Sequence, residues 1–116
     1  MFYCFVQNNS GGDFNFSLAS GISRFVIIEA ANAKEANECA KDIGLYFKGC
    51  ENNIDCDCCG DRWYEVEDTD GTVEPTIYGT LVNDNEFKPY NFWMIPDPEG
   101  FIHYADGFEP IFFEKR

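Results

Sequence analysis

The residues best suited to chemistry stand together between positions 50 and 63. Cys50 is followed by Cys56, Cys58 and Cys59, and the run continues into Gly60-Asp61-Arg62-Trp63. Cys56 and Cys59 form a C-x-x-C pair closed by glycine, the shape of a zinc knuckle. That spacing puts two sulfurs on one side of a tight turn, and the glycine lets backbone N–H groups approach them. A structural zinc site takes four Cys or His ligands at tetrahedral geometry. No second C-x-x-C or H-x-x-H supplies the other half, so the candidates are Cys50, Cys58 and the single histidine, His103. Cys58 and Cys59 are adjacent, and both reaching one metal requires a bent backbone. The chemically sensible zinc set is therefore Cys50, Cys56, Cys59 and His103.

Other readings of the same thiols stay open. A redox C-x-x-C works at a helix N-terminus, where the dipole lowers a thiol pKa. Here the pair precedes Gly60-Asp61 and a strand-like segment, and neighbouring carboxylates raise thiol pKa values instead. A disulfide such as Cys50 to Cys58, or a loop of reduced thiols packed under Trp63, uses the run structurally. Six cysteines suit a disulfide framework in a secreted domain. The start, Met1-Phe2-Tyr3-Cys4-Phe5, has no basic n-region, and no run reaches the roughly 18–20 apolar residues that span a bilayer. The expectation is a reducing cytoplasm, where paired thiols more often bind metal or do redox chemistry.

Asp61, Arg62 and Trp63 are candidate interface residues. An arginine among so many acids is expected to be ion-paired, with Asp61 nearest. If exposed, Arg62 and Trp63 suit an interface hot spot; the alternative is a structural role under the loop. Little else signals catalysis. A lone histidine supports no Ser-His-Asp triad. Asp68, Asp70 and Gly71 resemble part of a calcium loop, but its twelfth position falls on Ile77 rather than Glu. Ser10-Gly11-Gly12 lacks the lysine and the helix of a phosphate loop.

The net charge of −13 is segregated. Residues 51–109 hold fifteen Asp or Glu against two bases, Arg62 and Lys88, whereas residues 1–50 hold five acids against four bases. Such a field repels nucleic acid and anionic membranes and attracts basic protein surfaces.

These residues must be positioned by regular elements. With 45% hydrophobic and 17% aromatic residues in 116, the chain can bury a core, and one domain over residues 1–116 is expected. Strands are predicted over residues 2–7, around Phe14, Phe16 and Leu18, and over 24–30. A helix follows, with Asn32 as its cap, Glu35 three residues on, Ala33, Ala36, Ala40 and Ile43 at helical spacing, and Gly44 as its stop. Cys39 on the helix and Cys4 in the first strand read as small core hydrophobes. Beyond the cysteine loop, residues 62–67 read as a strand, 68–71 as a hairpin turn, and 72–78 as an edge strand limited by Pro75. Residues 79–90 read as a less regular stretch, and 91–95 and 101–105 as two further strands. The fold class is α+β: one main helix packed on a mostly antiparallel sheet, with a cysteine-rich loop.

Gly44-Leu45-Tyr46-Phe47 followed by Asp55-Cys56-Asp57-Cys58-Cys59-Gly60-Asp61-Arg62-Trp63 resembles small uncharacterised proteins of tailed bacteriophages. The stretch from Glu29 to Asn37 is similar to theirs as well, and the likeness covers roughly residues 25–66. It implies a phage accessory protein in the cytoplasm of an infected bacterial host, and it transfers no catalytic residue. The combined expectation is a non-enzymatic protein whose acidic second half binds a basic host or phage protein, counter-defence being one such role. The alternatives are a small-molecule or nucleotide-sequestering protein, with Trp63, Trp93 and Tyr104 lining a pocket, and a small structural virion component.

Overall fold

A computed structural model describes residues 1–8, 17, 19–55, 60–77, 80–81, 87–89, 100–105 and 111–115. The central sheet is seeded by two aromatic and β-branched runs, β1 (Phe2–Val6) and β2 (Phe25–Glu29), which pair antiparallel with Cys4 opposite Ile27. The chain then enters α1 (Ala33–Ile43), a 3₁₀ turn (Asp68–Asp70), and a two-stranded ladder of β3 (Thr76–Ile77) and β4 (Thr80–Leu81). It returns to the main sheet through β5 (Phe87–Pro89), β6 (Gly100–His103) and β7 (Ile111–Lys115). The strand order is β1-β2-β6-β7-β5. The β2–β6 ladder is parallel and the other three are antiparallel, so the sheet is mixed and the fold is of the α+β kind. A parallel neighbour needs a crossover, and the chain between β2 and β6 contains α1.

Helix α1 forms where its sequence signals place it. The Asn32 side chain accepts the Glu35 amide at 2.9 Å. At the other end Gly44 takes φ +119°, and the paired bonds Gly44 N–H to Lys41 O and Leu45 N–H to Ala40 O make a Schellman stop. Ala33, Ala36 and Ala40 share one buried cluster with Tyr3, Phe5, Val26 and Ile28 of the sheet. The other sheet face carries a second cluster of Phe25, Ile27, Ile77 and Ile102, with Phe2, Cys4 and Tyr104 against it. Among the described residues no helix is long and apolar enough to cross a membrane.

Several local expectations are corrected. Residues 62–67 form no strand, because the Asn37 side chain on α1 takes both the Val66 amide and the Val66 carbonyl, at 2.9 and 3.0 Å. With no strand before it, the turn at 68–71 is not a hairpin. It is a 3₁₀ turn in which Asp70 accepts the Glu67 amide and Asp68 accepts the Ala33 amide, supplying negative charge to the N-terminus of α1. The less regular stretch 79–90 holds the short strands β4 and β5, and β7 was not foreseen. The strands expected around Phe14 and over 91–95 lie largely or wholly outside the described residues; only Ser17 of the first is described, bridging Ile22.

Candidate functional site

The alternation of β1 buries Tyr3 and Phe5, and it continues past the strand end to bury Gln7. A buried amide needs partners. Gln7 Nε2 donates to Ser23 O at 3.0 Å, and Gln7 Oε1 accepts from an Arg62 terminal nitrogen at 2.9 Å. The Arg62 Nε–H donates to the Tyr46 hydroxyl at 3.2 Å, and that hydroxyl donates to Asp55 Oδ1 at 2.7 Å. Asp55 Oδ2 accepts the Arg62 backbone amide at 2.8 Å, and Arg62 Nε stands 3.9 Å from Asp55 Oδ1. The Asp55 side chain is 1% exposed and that of Arg62 9%. Tyr46 is held above the usual phenol range, first by burial and then by its bond to Asp55.

This network clamps the two stems of the cysteine loop. Asp55, from the first stem, binds the amide of Arg62 on the second. Asp61, from the second stem, binds the amide of Cys50 on the first at 2.9 Å. Gly49 O receives the amides of Ile54 and Asp55, and Asn8 fastens Asp61 and Arg62 to the end of β1. Gly49 is required at its position, because a Cβ there would run into the Asp55 carboxylate.

The residues singled out in the sequence fall as follows. Arg62 and Trp63 are buried, Trp63 in the cluster between α1 and the sheet, and Asp61 is half-buried. The ion pair seen for Arg62 is with Asp55, seven residues back, while the Asp61 carboxylate goes to Cys50. Cys56 and Cys59 lie outside the described residues. Cys50 sits half-buried at the loop stem. His103 lies on β6 opposite Ile28, with Nε2 bonded to Gly21 O at 2.8 Å. A carbonyl only accepts, so Nε2 carries the proton and Nδ1 is the nitrogen left for a further partner. Burial lowers the His103 pKa, and the Gly21 bond opposes this in part. Among the described residues no group of three or more His, Cys, Asp or Glu is placed to hold a metal ion.

Trp63 and Tyr104 occupy opposite faces of the sheet, so they do not share a pocket; Trp93 lies outside the described residues. The Cys4 thiol is pushed by burial up to about 12, and Cys39 is raised by burial and by Glu35, Asp42 and Glu38. Neither is an activated nucleophile. Sequence reasoning missed Gln7, Tyr46 and Asp55. Gln7 left a signal, a polar residue on the buried phase of an alternating strand. Tyr46 and Asp55 left none, because their partners are set by the loop's path.

Two open depressions flank this region. A cleft of about 590 Å³ along α1 is lined by Lys34, Glu38 and Lys41 of the helix and by Glu65, Glu67 and Asp68. A groove of about 410 Å³ lies along β1, between Cys4 and Val6 on one side and Tyr64, Glu65 and Asp70 on the other. A family model described as a domain of unknown function, DUF7296, matches residues 1–114. The chain belongs to that family. No curated protein and no solved structure matches it. What a DUF7296 chain does must therefore be argued from its surface. Over residues 60–77 that surface has one sign. Glu65, Glu67, Asp68, Asp70 and Glu74 are exposed, and the one base of the segment, Arg62, is buried against Asp55.

Proposed function

We propose that this protein works by binding, as a non-enzymatic phage accessory protein in the cytoplasm of an infected host, and that its acidic second half docks on a basic protein surface. The observation that carries the reading is the internal use of Arg62. The only base among residues 60–77 is taken out of the surface, so five exposed carboxylates face solvent without a neutralising partner from their own segment. Such a field speeds encounter with a basic partner and rejects nucleic acid. The cleft along α1 offers lysines, but acids line it as well, which disfavours a nucleotide there. The buried clasp serves this function by holding the loop stems, and its groups are committed to one another.

The test is a pull-down from bacterial lysate at low and high salt. A partner retained at low salt and released at high salt is expected, because screening shortens the reach of surface charge. Recovery of no salt-sensitive partner argues against acidic docking.

Zinc belongs to the same proposal as a lock on the loop that the clasp anchors, with Cys50, Cys56 and Cys59 as thiolate ligands and His103 as the fourth candidate through Nδ1. Metal analysis of protein purified without chelator decides it. About one equivalent of zinc is expected for a structural site, and less than about a tenth of an equivalent removes the idea.

A further inference from the structure

The first strand of the sheet is an edge, and its outer side is closed at both ends but open in the middle. In an antiparallel pair, alternate residues turn both backbone groups toward the partner strand or away from it. Gln7 N–H bonds Arg24 O and Ala30 N–H bonds Met1 O, so the odd residues of β1 face β2. The even residues face outward. Phe2 exchanges both of its bonds with Thr72, and Asn8 N–H bonds Arg62 O. Between these two closures stand Cys4 and Val6. Among the described residues nothing takes up their outward N–H and C=O groups.

The segment that could have covered them leaves the edge. After Arg62 it turns toward α1, where Trp63 and Val66 enter the core and Asn37 holds Val66; it rejoins β1 only at Thr72. The detour produces the groove of about 410 Å³ along the edge. The charged residues lining it are Glu65 and Asp70, with no base among them, and the exposed Tyr64 ring supplies apolar surface.

Unpaired edge groups are a template for strand addition, in which main-chain bonds give affinity and side-chain surroundings give selectivity. We propose that the outer edge of β1 accepts a short extended segment of a basic partner protein. The segment pairs with the backbone of Cys4 and Val6 and presents Lys or Arg to Glu65 and Asp70. This rests on the acidic-docking reading and adds its place and mode. The closures at Phe2 and Asn8 limit the paired stretch to about three residues, which also keeps the edge from templating open-ended aggregation.

The probe is the peptide acetyl-Lys-Val-Lys-Val-Lys-amide, compared with the same peptide N-methylated at its three central residues. Methylation keeps the charge and removes the three central main-chain donors. Binding is followed by NMR at low salt on the full chain, with amide exchange read at Tyr3, Cys4, Phe5 and Val6. In the free protein, Cys4 and Val6 should exchange faster than Tyr3 and Phe5. The plain peptide should slow both by at least about tenfold, and the methylated one should bind at least about tenfold more weakly. Val6→Pro removes an outward N–H without taking a bond from the β1–β2 ladder, and should weaken the plain peptide similarly. Glu65→Lys, on an exposed side chain, gives a second variant with the same expectation. Equal binding of the two peptides, or protection that appears away from Cys4 and Val6, overturns edge pairing and leaves acidic docking standing. No binding of either peptide at low salt overturns both.

Discussion

Strand β1 ends in two different environments a few residues apart. At Gln7 and Asn8 it enters the clasp, where Gln7, Tyr46, Asp55 and Arg62 each answer another's hydrogen-bonding capacity away from water. At Cys4 and Val6 the same strand turns backbone donors and acceptors into an open, acidic groove. The contrast follows from solvent. A polar group buried without a partner costs about 1–3 kcal/mol, so the interior cannot leave one open, whereas a group facing a groove keeps water until something better arrives. Completeness marks the clasp as structure. Incompleteness marks the edge as the place where a partner adds something.

The strongest way to break this comparison is at the clasp. Arg62→Met removes the guanidinium and leaves the Asp55 carboxylate buried with no cation, held by the Tyr46 hydroxyl and by the backbone amide of residue 62. Removing one member of a buried pair costs about 3–5 kcal/mol. Urea unfolding should show a loss of that order, and a loss below about 1 kcal/mol would mean that the network does not anchor the loop. Next comes Gly49→Ala, whose new methyl meets the Asp55 carboxylate. Overpacking of this kind costs about 1–3 kcal/mol. Its cost should fall in an Asp55→Ala background, which removes the carboxylate clash and leaves only the approach to the Tyr46 ring, a non-additivity that a double-mutant cycle reads directly.

A smaller effect comes from acid. His103 has its pKa lowered in the folded chain, chiefly by burial. Its full contribution is therefore present above the unfolded histidine value near 6.5, and it is lost as pH falls through the lower folded value. Stability measured from neutral pH downward should decline over that window, and His103→Gln should flatten the decline. An unchanged slope would remove His103 as its source. The smallest effect sharpens the edge itself. Cys4 turns its backbone to the groove and its thiol to the second core, where burial raises it to about 12. Iodoacetamide at pH 8 should leave Cys4 unmodified in the folded chain while full modification follows unfolding; rapid labelling would mean that the far face of β1 is open.

The sequence was most readable where short-range rules act. The Asn32 cap, the Gly44 stop, the alanine stripe of α1 and the runs that became β1, β2 and β6 depend on near neighbours and on periodicity. Misreadings arose where a distant partner decided. Residues 62–67 have strand composition, but Asn37 supplies a side-chain amide in place of a neighbouring strand. Asp68 looks like a turn former, yet its carboxylate serves the amide of Ala33, thirty-five residues away. The parallel ladder between β2 and β6 left no local trace, since only the crossover creates it. The cysteine run drew attention to the correct neighbourhood. Its anchors, however, are Asp55, Asp61 and Tyr46, ordinary residues whose roles come from the path of the loop.

The central claim is that binding belongs to the open acidic edge and not to the closed clasp. The most direct measurement sets Val6→Pro beside Asp55→Asn, each checked for folding by circular dichroism, and compares their affinity for the plain Lys-Val peptide with that of the unaltered chain. The account predicts a loss of at least about tenfold for Val6→Pro and a change within about twofold for Asp55→Asn. Undiminished affinity in folded Val6→Pro together with lost affinity in folded Asp55→Asn would contradict it and move the binding site to the clasp.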